Sequence, residues 1–193
     1  MKLRTLAAAL AISLATSASA LAQYTLKIGH VAPASELADD HVAAVYLKSF
    51  IEARSGGRMK VEIFPASQLG DFRAHVEQVQ LGGIEATHTS IGGIGQFFPE
   101  VQVLELPYLI PNDLVAERVA RGQLFVDIRD AILKKTGSVR LMSITNTGRF
   151  RSFFTTKKPI ITAADLKGVK MRTVDSPLEI EFVRALGGNA TPV

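Results

Sequence analysis

The chain has 193 residues, 47% of them hydrophobic and 21% charged, with a mean hydropathy of +0.21 and a formal net charge of +4. That is a globular composition, neither low-complexity disorder nor a collagen-like repeat. Cysteine is absent, which excludes disulfide frameworks, Cys-ligated zinc, iron–sulfur clusters and cysteine nucleophiles.

The first residues, Met1-Lys2-Leu3-Arg4, are positive; Leu6 to Leu14 form a short apolar core, and Thr16 to Ala22 turn small and polar. This three-part pattern predicts a secretory signal peptide over residues 1–22, cleaved between Ala22 and Gln23. The apolar core is too short to span a bilayer, and with no Cys at the cleavage point a lipid anchor is excluded. Removal of Lys2 and Arg4 lowers the net charge from +4 to +2, leaving 20 basic against 18 acidic residues. Such a balance, with no concentrated basic face, argues against nucleic acid as a partner. Direct membrane insertion after signal cleavage is not expected either.

After this segment, Tyr24 to Gly29 alternates as a strand, and a loop with Pro33 leads to a helix predicted over Asp39–Arg54. Val42, Val45, Tyr46, Phe50 and Ala53 recur at helical spacing as its expected core face, and Gly56-Gly57 stops it. Lys60 to Phe64 reads as a second strand. Asp71 is placed to cap a helix running to Leu81, which Gly82-Gly83 closes. Ile84 to Ser90 is a third candidate strand. The β-α-β-α-β rhythm is that of a parallel sheet covered by helices.

The middle is less regular. Ile91 to Gln96 carries three glycines, and Val101 to Ile110 reads as an extended apolar stretch. Asn112-Asp113 caps a helix that hesitates at Gly122 and resumes to about Lys135. Ser138–Ile144 and Arg149–Thr156 read as strands. Thr162-Ala-Ala-Asp165 has capping-box spacing for one helical turn, Val169 to Thr173 is a strand, and Ser176-Pro-Leu-Glu179 is a capping box with Pro at the first helical position. That helix should end at Gly187, and Ala190 to Val193 enters a further strand. The abrupt end after a βα unit reads as a fragment of a longer chain.

Phosphate-loop, zinc-protease, nucleophile-elbow and EF-hand signatures are absent. Gly92-Gly93-Ile94-Gly95 lacks dinucleotide-binding spacing. The histidines, His30, His41, His75 and His88, form no ligand pair at helical spacing, and no metal or cofactor is expected. No enzyme chemistry emerges. The arginines remain: Arg172 ends a strand four residues before a helix start, where open α/β sheets bind ligands. Its planar fork matches a carboxylate and keeps its charge. Arg151 could add a second cation.

The runs Phe64-Pro-Ala-Ser-Gln-Leu-Gly-Asp71, Leu104-Glu-Leu-Pro-Tyr108, Gly148-Arg-Phe-Arg-Ser-Phe153, Lys157-Lys-Pro-Ile160 and Asp165-Leu-Lys-Gly-Val-Lys-Met-Arg172 resemble those of the DctP-type substrate-binding proteins of TRAP transporters. The resemblance implies a two-lobed α/β periplasmic-binding-protein architecture, with a first lobe over 23–147 and an incomplete second lobe beginning over 148–193. It implies a periplasmic receptor, not an enzyme, that delivers a small organic acid to the membrane subunits of an ion-gradient-driven permease. By the same resemblance, Arg172 anchors the carboxylate and Arg151 assists, with Arg149 as the neighbour open to confusion. Asp175 lines the pocket, and Val31 (beside His30), Phe72 and Ser90 contribute from the first lobe. An apolar Val31 and a small Ser90 fit a simple mono- or dicarboxylate, keto or hydroxy acid better than sialic acid. The alternatives are a binding protein of an ATP-driven importer for amino acids, or a secreted α/β enzyme.

Overall fold

The computed structural model describes residues 24–145, 151–156 and 158–193. The signal segment and Arg149 lie outside them. Strand β1 (Tyr24–Gly29) pairs in parallel with β2 (Met59–Phe64) on one side and with β3 (Ala86–Thr87) on the other, giving the order β2-β1-β3. Helix α1 (Asp39–Arg54) links β1 to β2, and α2 (Phe72–Leu81) links β2 to β3. Each parallel pair needs such a crossover, which is why the strands recur about one helix apart.

Local chemistry accounts for the helix limits. Asp39 and Asp40 in the first turn of α1 and Arg54 in its last complement the helix dipole. The Asp71 carboxylate accepts from the Ala74 N–H at 2.8 Å and starts α2, while Gly82 ends it in a left-handed conformation at φ 74°. The predicted core face of α1 is wrong. Val42, Val45, Tyr46 and Phe50 are exposed, and Ala44 is buried instead, packed with Ile28, Val61 and Ile51. A small residue lets the helix lie close on β1 and β2, and that approach selects the face more strongly than the count of large apolar side chains.

The middle departs furthest from expectation. The third strand is only two residues long, because the chain turns at His88 and Ser90 caps a short helix, α3 (Ile91–Gly95), through Gly93 N–H at 3.1 Å. Of the stretch Val101–Ile110 read as extended, the first half belongs to a 3₁₀ helix over Pro99–Glu105 and the rest is turn. It buries Val101 and Leu104 with Phe98 against Ile128 and Ile132 of α5 (Gln123–Thr136). Helix α4 (Asp113–Arg121) precedes α5, and the break at Gly122 falls where expected. Residues 138–144 and 151–156 form no strand.

The last portion is a second parallel unit. Strand β4 (Lys170–Thr173) pairs with β5 (Asn189–Pro192) through α6 (Pro177–Ala185). Asp165 fulfils its capping role, its carboxylate accepting from the Thr162 N–H at 2.9 Å and hydroxyl at 3.0 Å. Ser176 does not cap α6. Its neighbour in the predicted box, Glu179, accepts from the Val174 N–H at 3.1 Å instead, and the fully buried Ser176 hydroxyl turns toward Glu105.

Candidate functional site

The glycines of α3 form the seam between the two sheet units. A Cβ at Gly93 would come within 2.8 Å of the Phe72 Cβ, and one at Gly92 within 2.9 Å of the Ser176 Cβ. Residues without side chains are therefore what let α3 touch the start of α2 on one side and the start of α6 on the other. The glycine run, which lacks dinucleotide-binding spacing, is a packing device.

At this seam a small void of about 30 Å³ is lined by Asp71, Phe72, Arg73, Gly93, Gln96, Val174, Asp175 and Val193. The structure thus brings together two of the expected site residues, Phe72 and Asp175, from opposite sheet units. Arg172 does not line it, but donates through Nη2 at 3.4 Å to the carbonyl of Val193, which does. It is exposed, as is Lys170 two residues earlier, while Thr173 is buried. The alternation expected for β4 therefore holds, and the Arg172 fork faces solvent at the carboxyl end of its strand.

The other expected residues lie elsewhere. Val31 is half-buried in the loop after β1, and Ser90 is occupied in capping α3; neither lines the void. Arg151 forms ion pairs with Glu105 at 3.3 Å and Glu179 at 2.6 Å. Burial, followed by the neighbouring Glu179 carboxylate, pushes the Glu105 carboxyl above its usual range, and Arg151 acts in the opposite direction.

Two residues were missed from the sequence. Arg73 bonds Glu77 through Nε at 2.9 Å and reaches the Gln96 Oε1 at 3.4 Å, while the Gln96 amide donates to Asp175. Arg73 follows Phe72 directly, so the helix start that nominated one nominates the other, but only the fold brings Gln96 across to Asp175.

The histidines do meet in space. His30 Nε2 lies 3.1 Å from His41 Nδ1, and His88 Nδ1 lies 3.1 Å from Asp40 Oδ1. Burial first, then the adjacent His41, depresses the His30 pKa below 6.5. Among the described residues no group of three or more His, Cys, Asp or Glu is arranged to hold a metal ion, and no helix is long and apolar enough to cross a membrane.

Residues 28–193 match the model of bacterial extracellular solute-binding protein family 7, DctP. The chain belongs to the DctP family. Over 195 residues it is 29% identical to the 2,3-diketo-L-gulonate-binding periplasmic protein YiaO of Escherichia coli, covering all of this chain and 58% of that protein. A TRAP periplasmic solute-binding protein from Polaromonas, solved with D-erythronate, superposes with a TM-score of 0.81 at 30% identity, covering 89% of this chain and 55% of that one. A second, from Roseobacter denitrificans with L-galactonate, gives 0.76 at 31% identity, covering 89% and 55%. The chain spans little more than half the length of these relatives. The DctP match places the two parallel units within the periplasmic-binding-protein architecture.

Proposed function

We propose that this chain is the amino-terminal part of a periplasmic receptor that binds a small organic acid and passes it to the membrane subunits of a TRAP transporter. Residues 1–22 would act as the signal peptide, 23–147 as most of the first lobe and 148–193 as the opening of the second. The observation that carries the reading is the seam itself. Phe72 from one unit and Asp175 from the other face one void, and Arg172 bonds Val193, which also lines it. The void must open to admit an acid, as a receptor hinged between lobes would do.

In this reading Arg172 grips the ligand carboxylate with two parallel hydrogen bonds and Arg151 supplies a second cation. The Asp175 carboxylate accepts from a ligand hydroxyl, which favours a hydroxy acid over a plain one. Val31, Phe72 and Ser90 shape the first-lobe wall. The role is capture and release, with no chemical step. A thermal-shift screen of the intact protein, signal peptide removed, against D-erythronate, L-galactonate, 2,3-diketo-L-gulonate and a set of amino acids tests it. A ligand at a hundredfold excess over its Kd should add about 2.7 kcal/mol of stability. A shift with amino acids alone, or with none of these compounds, would overturn the reading.

A further inference from the structure

Arg151 is 61% exposed in its side chain, whereas the two carboxylates it serves, Glu105 and Glu179, are 8% and 13% exposed. The arginine has room to swing toward solvent, but the glutamates cannot follow it. They come from different elements, the 3₁₀ helix before Leu106 and the first turn of α6. Each is also fixed from another side. The Ser176 hydroxyl approaches Glu105 at 3.5 Å, the Gly92 N–H also faces it, and the Val174 N–H holds Glu179. Among the described residues Arg151 is the charged group that compensates both.

We propose that acid capture by this protein binds a proton as well, at the Glu105–Glu179 pair. The inference rests on the receptor reading, in which Arg151 turns to the ligand carboxylate. When the guanidinium leaves, two nearly buried negative charges remain side by side without their cation, an arrangement that ionised carboxylates do not sustain. One proton from solvent then joins the pair, and Glu105, which has the Ser176 hydroxyl beside it, receives it. The charges balance. Before binding, one arginine compensates part of two carboxylates; afterwards the arginine is paired with the ligand and Glu105 carries the proton. Affinity for the acid accordingly rises as pH falls, until the pair is already protonated in the empty receptor. Below that point the gain ends.

Two experiments on the intact protein decide it. Calorimetric titration with D-erythronate at about pH 7, repeated in buffers of different ionisation enthalpy, counts the protons taken up. Wild type should take up a substantial fraction of one proton per acid bound, and Glu105→Gln should bind with uptake close to zero. Binding without proton uptake in wild type overturns the inference and leaves the receptor reading standing. If D-erythronate and every other acid of the screen fail to bind, both fall. The second experiment needs no ligand. Arg151→Ala imitates the departed guanidinium, so its melting temperature relative to wild type should drop as pH rises from about 5 to 8. Adding Glu105→Gln should remove that slope. A flat difference between Arg151→Ala and wild type over this range overturns the proposal whatever the ligand does.

Discussion

The Gln96 side-chain amide donates to Asp175 twice, to its main-chain carbonyl at 2.6 Å and to its carboxylate Oδ2 at 3.2 Å. Gln96 follows α3 beside the three-stranded sheet, and Asp175 follows β4, so one side chain ties the two units together at the mouth of the void. Gln96→Leu keeps much of the volume and removes both bonds. It should lower stability by about 1 kcal/mol, since both partners retain access to water. Denaturant titration of the two proteins measures it; a midpoint unchanged from wild type would show that the bridge carries no weight.

Arg172→Ala should weaken acid binding strongly while leaving the fold intact, because the guanidinium is exposed and its hydrogen bond is one long contact to the Val193 carbonyl. Loss of the partner of a bound carboxylate costs about 2–5 kcal/mol, a weakening of at least roughly thirtyfold. Arg172→Lys keeps the charge but not the planar fork, and should recover only part of the affinity. Calorimetry on the intact protein distinguishes the three. Equal affinity in Arg172→Ala and wild type would remove Arg172 from the site.

Gly92→Ala would force a methyl group to within 2.9 Å of the Ser176 Cβ, with Val174 Cγ1 at 3.3 Å. Neither contact is the far end of a flexible side chain, so α3 must retreat from α6. Overpacking of this kind costs about 1–3 kcal/mol. Thermal melting should show the loss, and Gly57→Ala is not a fair comparison, since Gly57 sits at φ 80° and would strain for a different reason. Gly83→Ala, where the nearest atom is 3.6 Å away, is the better control and should change little.

Stability should also fall in mild acid through His30. Its pKa in the folded protein is depressed below 6.5, by burial first and by His41 next. The unfolded chain therefore takes up the proton first. The stability His30 contributes is complete above its unfolded pKa and is lost as pH falls below 6.5 toward the depressed value. Glu105, whose pKa is raised, works in the opposite sense over its own range, so the comparison must be between variants. The gap in melting temperature between wild type and His30→Gln should narrow from pH 7 to about pH 5. A constant gap would mean His30 titrates normally.

The elements that were readable from the sequence are those governed by neighbours a few residues apart. The limits of α1 and α2, the break at Gly122 and the Asp165 turn follow from caps, glycines and short-range hydrogen bonds. The failures share a different cause. The buried face of α1 is set by how closely it can approach β1 and β2, which favours Ala44 over Val45 or Phe50. The stretch Val101–Ile110 is apolar enough to read as extended, but its first half coils as a 3₁₀ helix and packs on α5. Ser176 has the residue type of a cap, yet its buried hydroxyl faces Glu105, 71 residues earlier.

The site divides in the same way. The position of Arg172, at the end of a strand just before a helix, was legible because strand alternation and the following helix start are local facts. So was the nature of the chain as a member of a receptor family, since its motifs lie in order along it. What only the tertiary structure decided is which charges face one another. Arg151 meets Glu105 and Glu179 across separations of 46 and 28 residues, and Gln96 meets Asp175 across 79. Electrostatic and hydrogen-bond energies depend on distance in space, and a sequence records only distance along the chain.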